Sequence, residues 1–183
     1  MKSKFGIKEV VAIGIGTALF VALTTVQIPL GLPNTSIQPR VALLALFAAV
    51  FGPIVGGAIG LIGHALGDAI IYGSIWWSWV FPEAVLGIII GLFAAKYAVK
   101  DGGFNKGKII RFNIAQIIGN VISWCLVAPG LDILIYAEPA NKVFLQGIAS
   151  ALGNIITIGV LGTLLVIGYA KISGKSSSLQ KED

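Results

Sequence analysis

Apolar residues come in long runs along this chain, separated by prolines, glycines and short polar stretches. Residues 10–28 form the first run, close to the roughly 20 residues a helix needs to cross a bilayer, and Pro29 stops it. A proline-rich stretch, 29–39, reads as a loop. Residues 40–51 are apolar but few, and Gly52-Pro53 breaks them. Later runs cover 53–72, 76–97, 109–127 and 143–172, with a polar, glycine-bearing loop over 100–108. The pattern predicts an all-α membrane protein, a six-transmembrane-helix bundle. One domain, 1–172, holds helices over about 10–28, 40–51, 53–72, 76–97, 109–127 and 143–172; residues 173–183 are a polar cytoplasmic tail expected to fray. Helix two is too short to span upright. It is tilted, partly buried, or half of a re-entrant pair with helix three.

Composition agrees with a lipid environment. Hydrophobic residues make up 56% and charged ones 11%, with a mean hydropathy of +0.92, against about 45–50% and about 25% in soluble domains. A disordered chain, a disulfide scaffold and an ordinary soluble enzyme are excluded. One cysteine and one histidine leave little for a metal site or a triad, so no catalytic residue and no metal are expected. The net charge of +5 is spread between apolar runs, which points to topology and not to nucleic acid. With six spans and the N-terminus inside, Lys2, Lys4, Lys8, Lys96, Lys100, Lys106, Lys108, Arg111, Lys171, Lys175 and Lys181 are all cytoplasmic. Only Arg40 and Lys142 lie outside, so both termini are placed in the cytoplasm. The first run has no clear small-x-small cleavage site and is read as a true span. No strong internal repeat supports an inverted-repeat transporter.

Small residues mark close packing. Gly14, Ala18 and Ala22 recur at steps of four on helix one, a flat strip that lets another helix approach, inside this chain or in a partner. Gly56, Gly60 and Gly63 share a face of helix three and suggest tight internal packing. His64 and Asp68, four apart on that helix, are either a ligand-binding pair or proton relay, or a satisfied structural pair. Three of the four tryptophans fall within residues 76–79. Some serve an interfacial belt, but adjacent helix positions point in different directions, so some rings face inward. Glu83 shares the face of Trp79 one turn deeper, and a carboxylate beneath an indole suits a flat nitrogen-bearing ligand.

Polar residues trace a stripe on helix five, Asn113, Gln116, Asn120 and then Trp124, and another on helix six, Gln146, Ser150, Asn154 and Thr157. Hydrogen bonds between the helices account for the inner members Asn113 and Asn154 as well as any ligand does. The outer members fit an outward pocket. Asp68, Tyr72, Trp79, Glu83, Asn120, Trp124 and Gln146 therefore make up the candidate substrate-binding set, beneath the 29–39 loop. A second outer loop, 129–141, carries Asp132, Tyr136 and Glu138. No Walker, HExxH or GxSxG motif gives the chain chemistry of its own.

Over essentially its whole length the sequence resembles the S components of energy-coupling factor (ECF) vitamin transporters. The resemblance rests on six short helices, a basic start, the Ala18-x-x-x-Ala22 strip preceded by Gly14, Gln38-Pro39-Arg40, Gly52-Pro53-Ile54-Val55-Gly56-Gly57, and the run from Gly60 to Gly67-Asp68. It implies a substrate-binding subunit in the plasma membrane of a prokaryote, not an enzyme. Such a subunit binds a vitamin or precursor in an outward pocket closed by the loop after helix one, here 29–39. It docks through Ala18, Ala22 and, by extension, Gly14 on a transmembrane T component, and it topples in the membrane to release its ligand. Two cytoplasmic ATPase subunits use ATP and Mg; this chain is expected to hold no cofactor. The branch it is most similar to is the riboflavin type, and within it members assigned to the thiamine precursor hydroxymethylpyrimidine. The scarcity of outer cations argues against a highly anionic ligand. A stand-alone proton-coupled secondary transporter using His64, Asp68 and Glu83 is the alternative, and a membrane scaffold without a ligand is a third reading.

Overall fold

The computed structural model describes residues 5–32 and 35–179; Pro33 of the expected lid, Lys2, Lys4 and Lys181 of the charge tally, and the last four tail residues lie outside the described residues. Helix α1 (Ile7–Leu23) opens with the Gly6 N–H donating to Glu9 Oε2 at 2.9 Å. It closes where the Thr24 and Thr25 hydroxyls donate back to the carbonyls of Phe20 and Ala22, each at 3.1 Å. Such local bonds compete with the next helical turn. The first helix therefore ends well short of residue 28.

The stretch expected as a loop carries two antiparallel strands, β1 (Ile28–Leu32) and β2 (Thr35–Ile37), with Ile28 opposite Ile37 and Pro29 opposite Ser36. Proline favours extended backbone, and Gly31 at φ +77° supplies the irregular step between Pro29 and Leu32. The open end is tied by Ser36 Oγ donating to Gln27 Oε1 at 2.9 Å and Gln38 Nε2 donating to Ser36 Oγ at 3.0 Å.

Helix α2 (Arg40–Phe51) is short because it is central. Val41, Leu44, Ala45 and Ala48 are buried, and α1 and the two following helices pack around its small side chains. Gly52, at φ +93°, turns the chain into α3 (Pro53–Ile71). Then come α4 (Trp77–Leu92) and α5 (Ala94–Tyr97), with a bend of 45° between them. Asn105 caps α6 (Lys106–Ile122) by accepting the Lys108 N–H at 3.1 Å. A π-helical turn, Ser123–Val127, leads straight into α7 (Ala128–Tyr136).

The outer loop expected over 129–141 is thus corrected: most of it is helix. Pro129 lacks the N–H that an α-helix interior uses, and the wider π turn before it absorbs the mismatch. Helix α8 (Ala140–Thr157) passes through a second π turn, Ile158–Gly162, into α9 (Thr163–Leu179), which continues into the stretch expected as tail. Among the described residues three helical runs are long and apolar enough to cross a bilayer, or four if the bent pair counts as one span. At 17 and 12 residues, α1 and α2 are shorter than that test requires.

Helices α3 and α4 meet backbone to backbone. A Cβ added at Gly56 would lie 2.5 Å from the Gly87 carbonyl oxygen, and one at Gly60 would lie 2.5 Å from that of Glu83. One at Gly91 would lie 2.5 Å from the Gly52 carbonyl carbon. Steps of four up α3 match steps of four down α4, an antiparallel register set by glycine. Farther along α3, Gly63 seats the Phe20 ring and Gly67 seats Thr24, which fixes α1 to the same helix. Gly60→Val should force α3 and α4 apart and destabilise the chain by about 1–3 kcal/mol. Gly14→Val, with nothing within 4 Å of the added Cβ, should not. Melting curves in detergent check the pair; equal midpoints for both variants would contradict the packing.

Candidate functional site

Continuing the α3–α4 register past Gly60 and Glu83 brings one turn of α3 after another to the start of α4. His64 comes level with Trp79, and Asp68 reaches Trp76, whose backbone N–H donates to Asp68 Oδ2 at 3.2 Å. His64 lies between two carboxylates: Nδ1 is 3.3 Å from Glu83 Oε2 and Nε2 is 3.5 Å from Asp68 Oδ1. Nε2 is also 3.5 Å from Arg40 Nη2. Arg40 enters from the first turn of α2. Its Nη1 donates to Thr24 Oγ1 at 3.1 Å, and its guanidinium lies 4.7 Å from the Phe20 ring centroid. All four ionisable groups are buried, with Glu83 at 1% exposure. Charges taken out of water are costly unless paired, so this cluster ties α1, α2, α3 and α4 together at one point.

A second wall is built on Asp132 of α7. Its carboxylate accepts from Ser78 Oγ at 2.5 Å, Trp76 Nε1 at 2.7 Å and Trp79 Nε1 at 2.9 Å. Tyr136, one turn on, stacks on the Trp76 ring at 4.4 Å between centroids and accepts the Trp77 N–H at 3.2 Å. Trp79 and Trp124 face each other with centroids 5.6 Å apart. Trp124 sits in the π turn, where a Cβ added at Gly147 would collide with its carbonyl oxygen, so α8 closes on that turn.

Between the walls is a cavity of about 310 Å3. Ser36 and Gln38 reach it from the β2 side; Tyr72 and the Glu138–Lys142 ion pair, 2.6 Å long, also line it. Six of the seven residues expected at a pocket line it: Asp68, Tyr72, Trp79, Glu83, Trp124 and Gln146. Ser150 and Asn154 join them from α8. Asn120 is not in the lining. It is fully buried, and its amide nitrogen donates to the Gln116 carbonyl at 2.8 Å and to Gln116 Oε1 at 3.0 Å. Asn113 donates to Thr163 Oγ1 at 3.1 Å and to its own helix, a helix-packing role.

Sequence reasoning left Arg40, Trp76 and Asp132 out of the set. Arg40 enters that reading as an outer cation and as part of Gln38-Pro39-Arg40, and Asp132 in an expected loop. The signal for Arg40 was a cation opening an otherwise apolar helix. The strip of Gly14, Ala18 and Ala22 lies exposed on α1, opposite the face that buries Gly16, Thr17 and Phe20. Asp132→Ala would strip the acceptor from three donors, of which the buried Ser78 hydroxyl left unpaired costs about 1–3 kcal/mol. A lower melting temperature and altered tryptophan emission are expected, with Asp132→Asn intermediate; emission identical to that of the parent chain would contradict this wall.

The model of the family described as "ECF-type riboflavin transporter, S component" matches residues 4–171. The UPF0397 protein of Exiguobacterium sp. AT1b is 52% identical over 181 residues, covering 98% of this chain and 99% of that relative. The UPF0397 protein of Enterococcus faecalis is 49% identical across 100% of both chains, and that of Lactobacillus helveticus 53% identical across 100% of this chain and 99% of its own. No solved structure matches. With nearly the whole sequence covered by that model and about half its residues shared with these bacterial relatives, the chain belongs to the family of ECF-type riboflavin transporter S components.

Proposed function

We propose that this chain captures a small flat vitamin or precursor, hydroxymethylpyrimidine first, in the cavity between the Asp132 wall and the His64 cluster, and delivers it as the substrate-binding subunit of an ATP-driven importer. The observation that carries this reading is the makeup of the cavity. Indoles and buried carboxylates line it together, as stacking and hydrogen bonding to a nitrogen heterocycle require. Its volume of about 310 Å3 is at the bottom of the range of about 300–1,000 Å3 for small-molecule sites, which favours a single-ring ligand over a fused three-ring one. Membership of a transporter S component family supports a binding subunit and not an enzyme.

The remaining parts of the proposal follow from that role. Six membrane segments with both termini in the cytoplasm turn the cavity outward in a prokaryotic plasma membrane. The β1–β2 hairpin covers it, since Ser36 and Gln38 already line it. The exposed strip of Gly14, Ala18 and Ala22 docks on a T component, and two ATPase subunits supply ATP and Mg chemistry from the cytoplasm. One observation favours a second reading: His64 lies within 3.5 Å of both Asp68 and Glu83, a possible path for a proton in a stand-alone carrier.

Uptake by reconstituted vesicles separates the two. Uptake of hydroxymethylpyrimidine should require the T component, both ATPases and ATP. Uptake by this chain alone, driven by a pH gradient, would overturn the proposal and favour the carrier. Ala18→Trp should abolish co-purification with the T component and leave ligand affinity unchanged; lost affinity with assembly intact would remove the docking face from α1. Trp79→Ala should weaken hydroxymethylpyrimidine binding about tenfold, the effect of losing one ring contact, as read by calorimetry. Unchanged affinity would move the ligand elsewhere.

A further inference from the structure

The cavity does not balance its own charge. On the α3 side one guanidinium, Arg40, faces two buried carboxylates, Asp68 and Glu83, with the imidazole of His64 between them. Elsewhere in the lining, Glu138 and Lys142 cancel each other. Asp132 is held by neutral donors, two indoles and a hydroxyl. With a neutral imidazole the lining carries two more negative charges than positive ones; with a protonated one, it carries one more.

Among the described residues five lining side chains each hold a buried atom without a hydrogen-bond partner: Gln38 Oε1, Arg40 Nε, His64 Nδ1, which faces Glu83 Oε2, Glu83 Oε1 and Trp124 Nε1. Glu83 is buried, one of its oxygens faces His64, and the other, Oε1, accepts nothing. Trp124 is buried at 3% exposure and its indole N–H donates to nothing, although the neighbouring indoles of Trp76 and Trp79 are both satisfied. A buried carboxylate oxygen without a donor is expensive, and a charge-assisted N–H is the strongest partner it can have.

We infer that the ligand is taken up as a cation, a flat base with an amidine-like N–H edge that donates to Glu83 Oε1 and an acceptor elsewhere on the ring for the Trp124 N–H. This deepens the substrate-site reading above and rests on it. It names the charge and the edge of the ligand. Neutral lactam analogues and phosphate esters of the same ring are rejected, the first because their single neutral N–H makes no charge-assisted bond, the second because they add negative charge to a negative cavity.

The test uses probes of one size and shape with charges of +1, 0 and −1: benzamidinium, benzamide and benzoate. Each is titrated into the detergent-purified full chain by calorimetry, with hydroxymethylpyrimidine and its monophosphate alongside. Benzamidinium should bind at least about tenfold more tightly than benzamide, and benzoate should be the weakest. Glu83→Gln should erase the preference between benzamidinium and benzamide, and Trp124→Phe should weaken hydroxymethylpyrimidine a few-fold. The charge series on the unaltered chain stands even if a variant fails to fold.

Benzamide or benzoate binding as tightly as benzamidinium would overturn the inference, and so would a preference that survives in folded Glu83→Gln. If hydroxymethylpyrimidine binds without regard to Glu83 and the charge series is flat, the cation inference falls and the pyrimidine reading stands. If benzamidinium binds through Glu83 and hydroxymethylpyrimidine does not bind, the pyrimidine reading falls and the cation inference stands. Binding of no probe at millimolar concentration overturns both.

Discussion

The approach of α3 to α4, with glycine where the backbones touch, sets the position of nearly everything in the cavity. Because Gly56 lies against Gly87 and Gly60 against Glu83, the next turns of the two helices have no freedom of register. His64, Asp68, Trp76 and Trp79 arrive at fixed heights, and Glu83 is held within 3.3 Å of the imidazole. A side chain larger than hydrogen at these glycines would separate the helices and pull the carboxylates away from the ring between them. The glycines that pack α3 and the charges that line the cavity are one device. The first permits the second.

A low-dielectric surrounding makes that device demanding. Buried ions cannot borrow water, so each must be answered by the chain or by a ligand. Arg40 answers part of the demand and links it to α1 through the Thr24 hydroxyl and the Phe20 ring. The far face of α1 carries the exposed small-residue strip. One helix therefore touches the ionic cluster on one side and presents exposed small residues, Gly14, Ala18 and Ala22, on the other.

Much of this was legible in the sequence because period and composition are strong signals in lipid-facing chains. Apolar runs located the helices, the step of four between His64 and Asp68 placed them on one face, and the tryptophan cluster ahead of Glu83 marked the richest part of the cavity. What was not legible came from local chemistry that overrides period. Thr24 and Thr25 end α1 by bonding to their own carbonyls. A π turn lets the chain run helically through Pro129, which turned a supposed loop into the element that carries Asp132. Asn120 lies on the same stripe as Trp124, yet its amide nitrogen already donates to Gln116 within its own helix. Spacing gives direction; it does not say whether a polar group has already found a partner.

The central claim is that this cavity binds a small flat base. A thermal-shift titration of the purified chain tests it most directly, because a ligand that binds only the folded state raises the midpoint by mass action. Hydroxymethylpyrimidine should raise it progressively with concentration, and riboflavin, whose three fused rings a cavity of about 310 Å3 favours less, should shift it less. A shift with riboflavin alone, or none with hydroxymethylpyrimidine, thiamine or any other flat base, would contradict the claim.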